Sequence, residues 1–181
     1  MSRDQNVVGR QGRRGFVAGL LATLSTLPLG CKQGDSVVMA GDGTRLSSDE
    51  IDRDPMALLP SGVIGVVHVD AQAAFRSDLG ASTNKLLKAV MPLGPEANFD
   101  AKRDVHRILI GLYSLQGADA ALIIQGNFDP DAIRSSASMG RPNVLGMQLV
   151  RLEYANNDLF IANGIGFVVV TRKTIIAGNE T

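Results

Sequence analysis

The chain has 181 residues, carries 18 basic and 18 acidic side chains, and is 45% hydrophobic, which fits one packed domain with an extension. Its single cysteine excludes an intrachain disulfide framework and any zinc site built from several cysteines. Its two histidines leave little material for a histidine-rich metal site, and no basic stripe with interleaved aromatic residues indicates nucleic acid as a partner.

The first thirty residues differ from the rest in charge and composition. Four arginines and one aspartate precede Cys31, whereas 14 basic and 17 acidic side chains stand from Cys31 onward. Residues 15–29, GFVAGLLATLSTLPL, carry no charge and are too few for the helix of roughly 20 residues that spans a bilayer. A basic lead followed by a short apolar run predicts that residues 1–30 are a signal peptide. The alternative is an uncleaved membrane anchor made of the same run.

The segment GRRGFVAGL resembles the twin-arginine signal of bacterial exported proteins. Arg13 and Arg14 match its paired arginines, and Phe16 matches its aromatic position. Gly12 departs from the usual Ser or Thr, and Ala18 departs from the frequent Lys. The resemblance implies that the export machinery carries a folded protein, and an ordinary Sec signal is the alternative.

Cys31 closes the stretch LPLGC, which resembles the bacterial lipobox. Gly30 is the small residue that the lipobox has before its cysteine, whereas Pro28 stands where Leu is usual. The resemblance implies cleavage between Gly30 and Cys31 and acyl chains such as palmitate on Cys31. Because two or more acyl chains anchor a protein stably, the expected partner is a membrane. Lys32, in the place of an inner-membrane retention Asp, favours the outer membrane, facing the periplasm or the cell surface.

Two regions are predicted after the lipobox. Residues 31–58 are rich in Gly, Ser and Asp, with more acidic than basic side chains, and this composition predicts a flexible acidic tether. Residues 59–181 are predicted to form the folded domain. The chain stops directly after a predicted strand, which leaves two alternatives: a natural C-terminus, or truncation of a longer parent protein.

The folded region alternates strand and helix patterns. The nearly continuous apolar run at 62–70 predicts a central strand, and 82–91 predicts an amphipathic helix capped by Ser82 or Thr83. Residues 105–114 and 119–128 predict a hairpin. Asp129 followed by Pro130 is typical of a helix start.

Four further strands are predicted towards the C-terminus. MQLVRLEYA, 147–155, alternates apolar and charged residues and predicts a half-exposed strand, and LFIANG, FVVVT and TIIAG follow. The order predicts an α+β fold, with an antiparallel sheet and two helices on one face. Its first six elements match the ferredoxin-like βαββαβ order, with extra C-terminal strands.

Chemistry-bearing residues are few in this region. His68 and Asp70 fall on the same face of one predicted strand, as in part of a catalytic or metal site, but no nucleophile that would complete a triad is visible. No catalytic, cofactor or metal residue is therefore predicted, and a non-enzymatic binding or structural domain is favoured, its ligand or protein partner unknown. The alternative is an exported hydrolase using carboxylates from Asp70, Asp100, Asp104 and Glu153.

Overall fold

The described part of the chain begins after the predicted signal peptide. A computed structural model describes residues 38–39 (backbone only), 44–115, 119–139, 146, 148–154, 157–162 and 164–179. The segments that resemble a twin-arginine signal and a lipobox, with Arg13, Arg14, Phe16, Gly30 and Cys31, lie outside the described residues. No helix within the described ranges is both long and apolar enough to cross a bilayer.

The described ranges contain nine strands, five α-helices and two short 3-10 helices. The strands are β1 (Val38–Met39), β2 (Arg45–Leu46), β3 (Gly65–Asp70), β4 (Val105–Leu112), β5 (Ala120–Gly126), β6 (Val150–Tyr154), β7 (Asn157–Ala162), β8 (Ile165–Val169) and β9 (Thr174–Asn179). The α-helices are α1 (Ser48–Arg53), α2 (Ala71–Phe75), α3 (Gly80–Val90), α4 (Ala101–Asp104) and α5 (Pro130–Ser138), and the 3-10 helices are Pro55–Leu58 and Pro95–Ala97.

Seven strands form one antiparallel sheet in the order β3-β4-β5-β9-β8-β7-β6, while β1 pairs with β2 separately. The sheet consists of two runs of consecutive strands, β3-β4-β5 and β6-β7-β8, and β9 lies between them. The predicted α+β class and antiparallel sheet are confirmed. The ferredoxin-like order is wrong, because that order needs parallel neighbours, whereas each pairing in this sheet is antiparallel.

Helices α2 to α5 cover one face of the sheet, called here the helix-covered face. Ile108, Ile124 and Ile175 are register partners on β4, β5 and β9, and all three are buried. Leu87 of α3 and Ile133 of α5 pack into the same apolar cluster. Asp129 caps α5 with its carboxylate and Pro130 follows, as predicted. The start of α3 differs from the prediction, because Leu79 precedes its first residue and provides no side-chain cap.

The other face, called here the second face, is covered at its centre by residues 46–59. Ile51 of α1 is fully buried there against Leu109 of β4 and Ile123 of β5. Ser47 and Glu50 form a capping box in which each side chain binds the other residue's backbone N–H. The predicted flexible tether over 31–58 is therefore wrong for residues 48–58. Their composition is mostly polar, but two of the few apolar side chains among them, Ile51 and Leu58, are buried.

The first predicted strand also differs in its position. The apolar run at 62–70 predicts a central strand, but β3 is an edge strand and most of its side chains are exposed. A continuous apolar run is expected in a strand that is buried on both faces. In β3 the run consists largely of β-branched residues, which favour any strand, and β3 has only one neighbouring strand in the sheet.

The opposite edge strand, β6, turns its charged side towards the helices. Arg151 of β6 and Arg134 of α5 both hold the carboxylate of Asp158, at 2.6 and 2.7 Å. Burial raises the pKa of Asp158, but the hydrogen bonds from the two guanidinium groups outweigh it and keep the pKa below its usual 3.8. The alternation predicted for this strand is present, but all five of its residues are exposed rather than half-exposed.

Candidate functional site

A polar cleft opens on the second face, where α1 meets the β3 side of the sheet. Its volume is about 360 Å³. Both histidines of the chain, two carboxylates and two cationic side chains line it: Asp52, His68, Asp70, His106, Arg107, Gln125, Gly126 and Lys173. These residues come from five separate parts of the chain, so only the folded domain brings them together.

The register of three strands builds one wall of the cleft. Asp70 of β3 pairs with Arg107 of β4, and Arg107 pairs with Gln125 of β5. Directly paired residues of antiparallel strands point to the same face. His68 lies two residues before Asp70 and therefore shares this face, as the sequence predicts.

A β-bulge adds the second histidine. The register shifts between Val105 and Arg107, so His106 has no partner on β5. Such a bulge redirects a side chain, and bulges are common next to functional sites. Gly126 makes it possible, because a Cβ there would lie closer than 3.0 Å to the carbonyl oxygen of Asp104.

Asp52 closes the cleft from the side of α1. Its Oδ1 accepts hydrogen bonds from the hydroxyls of Thr171, at 2.5 Å, and Thr174, at 2.9 Å. Its backbone oxygen accepts a third from the side-chain amide of Gln125, at 3.0 Å. The three bonds fasten α1 to the sheet and engage this carboxylate.

The carboxylate of Asp70 also accepts a hydrogen bond from the protein. Its Oδ1 accepts the backbone N–H of Ala73 at 2.9 Å and caps α2. Arg107 donates from one nitrogen to Gln125 Oε1 at 3.3 Å. One oxygen of each carboxylate therefore already accepts hydrogen bonds, whereas the imidazoles, the guanidinium group and the ammonium group of Lys173 are the side-chain donors that the cleft offers a ligand.

Of the four carboxylates of the alternative hydrolase, Asp70 lines the cleft and the other three do not. Asp100 caps α4 by accepting the N–H groups of Lys102 and Arg103. Asp104 is buried, and although burial raises its pKa, the paired bonds from Arg103 and the bond from the Asp100 N–H hold that pKa below 3.8. A general acid needs the opposite shift.

Glu153 lies far from Asp70 and the cleft. It is on β6, six strand positions from Asp70, which is about 29 Å at the usual strand spacing. It also points to the helix-covered face, because it pairs with Asp158, whereas Asp70 points to the second face. The structure therefore does not bring these four carboxylates together.

A metal centre held mainly by protein side chains has three or more ligands at one point. Across the described ranges, no three His, Cys, Asp or Glu side chains meet in that way. The cleft itself combines two cationic side chains, two carboxylates and two imidazoles around an open pocket.

Sequence reasoning found His68 and Asp70 but missed the other members of the cleft. Lys173 lies in the turn between β8 and β9, and Asp52 lies in the predicted tether. The pattern Ser47-x-x-Glu50 is a capping-box signal and could have indicated that α1 is folded. Nothing local in the sequence marks His106 as a bulge residue.

Comparisons with known proteins found little likeness. No known family model matches the chain, and no curated protein matches it. Crystal forms I and IV of TP0453 were aligned with 8% and 5% identity and TM-scores of 0.41 and 0.42. The alignments cover 67% of this chain and 43% and 44% of those chains, so this chain spans less than half of the solved structures that it matches.

Proposed function

We propose that this chain is an exported bacterial envelope protein, anchored by lipid on Cys31, whose domain binds a small anionic ligand without transforming it. The observation that carries the anchoring is the position of Cys31. It is the single cysteine, and it follows Gly30 at the end of an uncharged run that a basic segment with Arg13 and Arg14 precedes. The membrane in question is proposed to be the outer membrane.

The anchoring is tested by the intact mass of the membrane-extracted protein from a bacterial host, wild type beside Cys31→Ala. We expect a wild-type chain that starts at Cys31 and carries acyl mass, and a variant that lacks this mass. An uncut chain without lipid would contradict the anchor and favour residues 15–29 as a membrane segment. A soluble chain cut elsewhere would make Cys31 an ordinary thiol.

The binding part rests on the cationic donors of the cleft. Arg107 and Lys173 bring charged donors, and His68 and His106 add further donors, while one oxygen of each carboxylate in the same cleft already accepts hydrogen bonds from the protein. Charged donors of this kind favour carboxylate or phosphate groups. A cleft of about 360 Å³ has room for a small ligand of that class.

Binding can be followed directly at the two histidines, because the chain has no others. We expect the imidazole proton NMR signals of His68 and His106 to shift and saturate when inorganic phosphate or succinate is added to the mature protein in detergent. The double variant Arg107→Gln, Lys173→Gln should weaken this binding at least about tenfold, since it removes both fixed positive charges of the cleft.

Lys85→Gln with Lys88→Gln is the matched control, because both lysines are exposed on α3 and removing them changes net charge equally. This control should bind as the wild type does. Signals that never saturate, or that move equally in both double variants, would show that the cleft is not an anion site.

A further inference from the structure

An apolar patch lies on the second face at the β6 edge of the sheet. Val150, Leu152 and Tyr154 are 51%, 47% and 75% exposed. Their register partners on β7, Ile161 and Leu159 among them, and Val168 on β8 lie on the same face and are half-buried. Contiguous exposed apolar side chains of this kind mark an interaction surface more often than single scattered ones do.

The orientation of β6 makes the patch unusual. In a strand with one buried face, the apolar side normally faces the core. Here the charged side, with Arg151, faces the helix layer and pairs with Asp158, so the apolar side faces away from it. The strand is also the last one of the sheet, and an exposed apolar edge strand is a liability unless something covers it.

The chain enters the domain on this same face. Leu46 of β2 packs against the cluster that contains Leu109 and Ile123, and Val168 and Ile176 of the second face pack against that cluster too. Val38 of β1 pairs with Leu46. The N-terminal part of the chain therefore joins the domain over the face that carries the apolar patch.

The connection from there to Cys31 is short. Seven residue steps separate Cys31 from Val38, and a fully extended chain of that length spans at most about 25 Å. The seven-stranded sheet is itself about 29 Å across between its edge strands. A lipid on Cys31 would therefore keep Val38, whose partner strand β2 packs on the second face, within about 25 Å of the membrane surface.

We infer that the apolar patch docks on the lipid surface that holds the acyl chains of Cys31, an inference that rests on the lipid anchor proposed above. Leu152 and Val150 enter the boundary between headgroups and acyl chains, and Tyr154 lies at the headgroup level. Tyrosine suits that position because its ring is apolar and its hydroxyl is polar. The lipid anchor makes weak docking sufficient, since the domain is already held at the surface.

The test uses the mature protein in vesicles of phosphatidylethanolamine and phosphatidylglycerol. Since acylation blocks Cys31, an introduced cysteine is the sole reactive thiol. Leu152→Cys and Tyr154→Cys are labelled with an environment-sensitive nitrobenzoxadiazole dye, and nitroxide-labelled lipids are added as quenchers. Leu86→Cys on α3 is the matched control, because Leu86 is 39% exposed and lies on a helix of the opposite face.

We expect dye at residues 152 and 154 to lose about half of its emission or more, and dye at residue 86 to lose almost none, because only the patch contacts lipid. Equal quenching at all three residues, or none at 152 and 154, would overturn the docking. The dye at residue 152 could instead show blue-shifted emission that does not depend on lipid and grows with protein density. That result would also overturn the docking, because it would show that a second copy of the chain covers the patch.

Labelling the parent chain, which has no introduced cysteine, distinguishes a failure of the docking from a failure of the lipid anchor. If Cys31 itself takes the dye, the lipid anchor proposed above is wrong and the docking falls with it. If Cys31 is blocked and residues 152 and 154 are not quenched, the anchor stands and the docking alone is wrong.

Discussion

Replacing Ile51 with alanine is expected to lower the free energy of unfolding by about 2–5 kcal/mol, the usual cost of emptying a fully buried aliphatic site. The side chain lies between α1 and two central strands, where Leu109 and Ile123 surround it. Urea unfolding followed by far-ultraviolet circular dichroism measures the effect, since the chain has no tryptophan to report by fluorescence.

Met56→Ala is the control for this substitution. Met56 belongs to the same segment but is 52% exposed, so its truncation should change stability by no more than about 0.5 kcal/mol. Ile51→Val, which removes one methylene group, should fall between the two at about 0.5–1.5 kcal/mol. Equal stability of all three variants would show that residues 48–58 are a loosely attached tether after all.

Gly126→Ala should destabilise the domain by about 3 kcal/mol or more, the upper range for overpacking. The new Cβ would collide with the backbone carbonyl of Asp104, which the Asn127 N–H holds at 2.8 Å. Because this carbonyl belongs to backbone, no side-chain rotation relieves the collision. The bulge at His106 must shift instead, so we also expect the His106 NMR signal to move.

Gly65→Ala is the matched control for this prediction. Both glycines lie on strands and neither has a positive φ, but a Cβ at Gly65 would meet only Leu112 Cδ1, at 4.0 Å. That substitution should be neutral or stabilising by about 0.4–1 kcal/mol, because alanine restricts the unfolded chain. If both variants unfold at the same urea concentration, the close approach at Gly126 is not present in solution.

Local patterns predicted most elements of the fold but not their order. Asp129 with Pro130 marks the start of α5 correctly, because a cap is decided by neighbouring residues. The apolar run that ends at Asp70 indicated a strand but not its place at the edge. Strand order depends on which distant segments pair, and the periodicity of one segment carries no such information.

The cleft was less predictable than the fold for the same reason. His68 and Asp70 could be paired because a strand places alternate residues on one face. Asp52 and Lys173 join them only through contacts between segments far apart in the chain, such as the bond from Thr171 to Asp52. His106 depends on a bulge, whose cause is the absence of a side chain on another strand.

The position of β9 between β5 and β8 bears on how the protein is made. Its residues pair with β5 at positions about fifty residues earlier, so the two halves of the sheet stay separate until β9 arrives. Pairings over such sequence separations raise the contact order and slow the folding reaction. During synthesis the edges of β5 and β8 that pair with β9 therefore lack their partner at first. The sheet is completed only after Asn179, the last residue of β9, has left the ribosome.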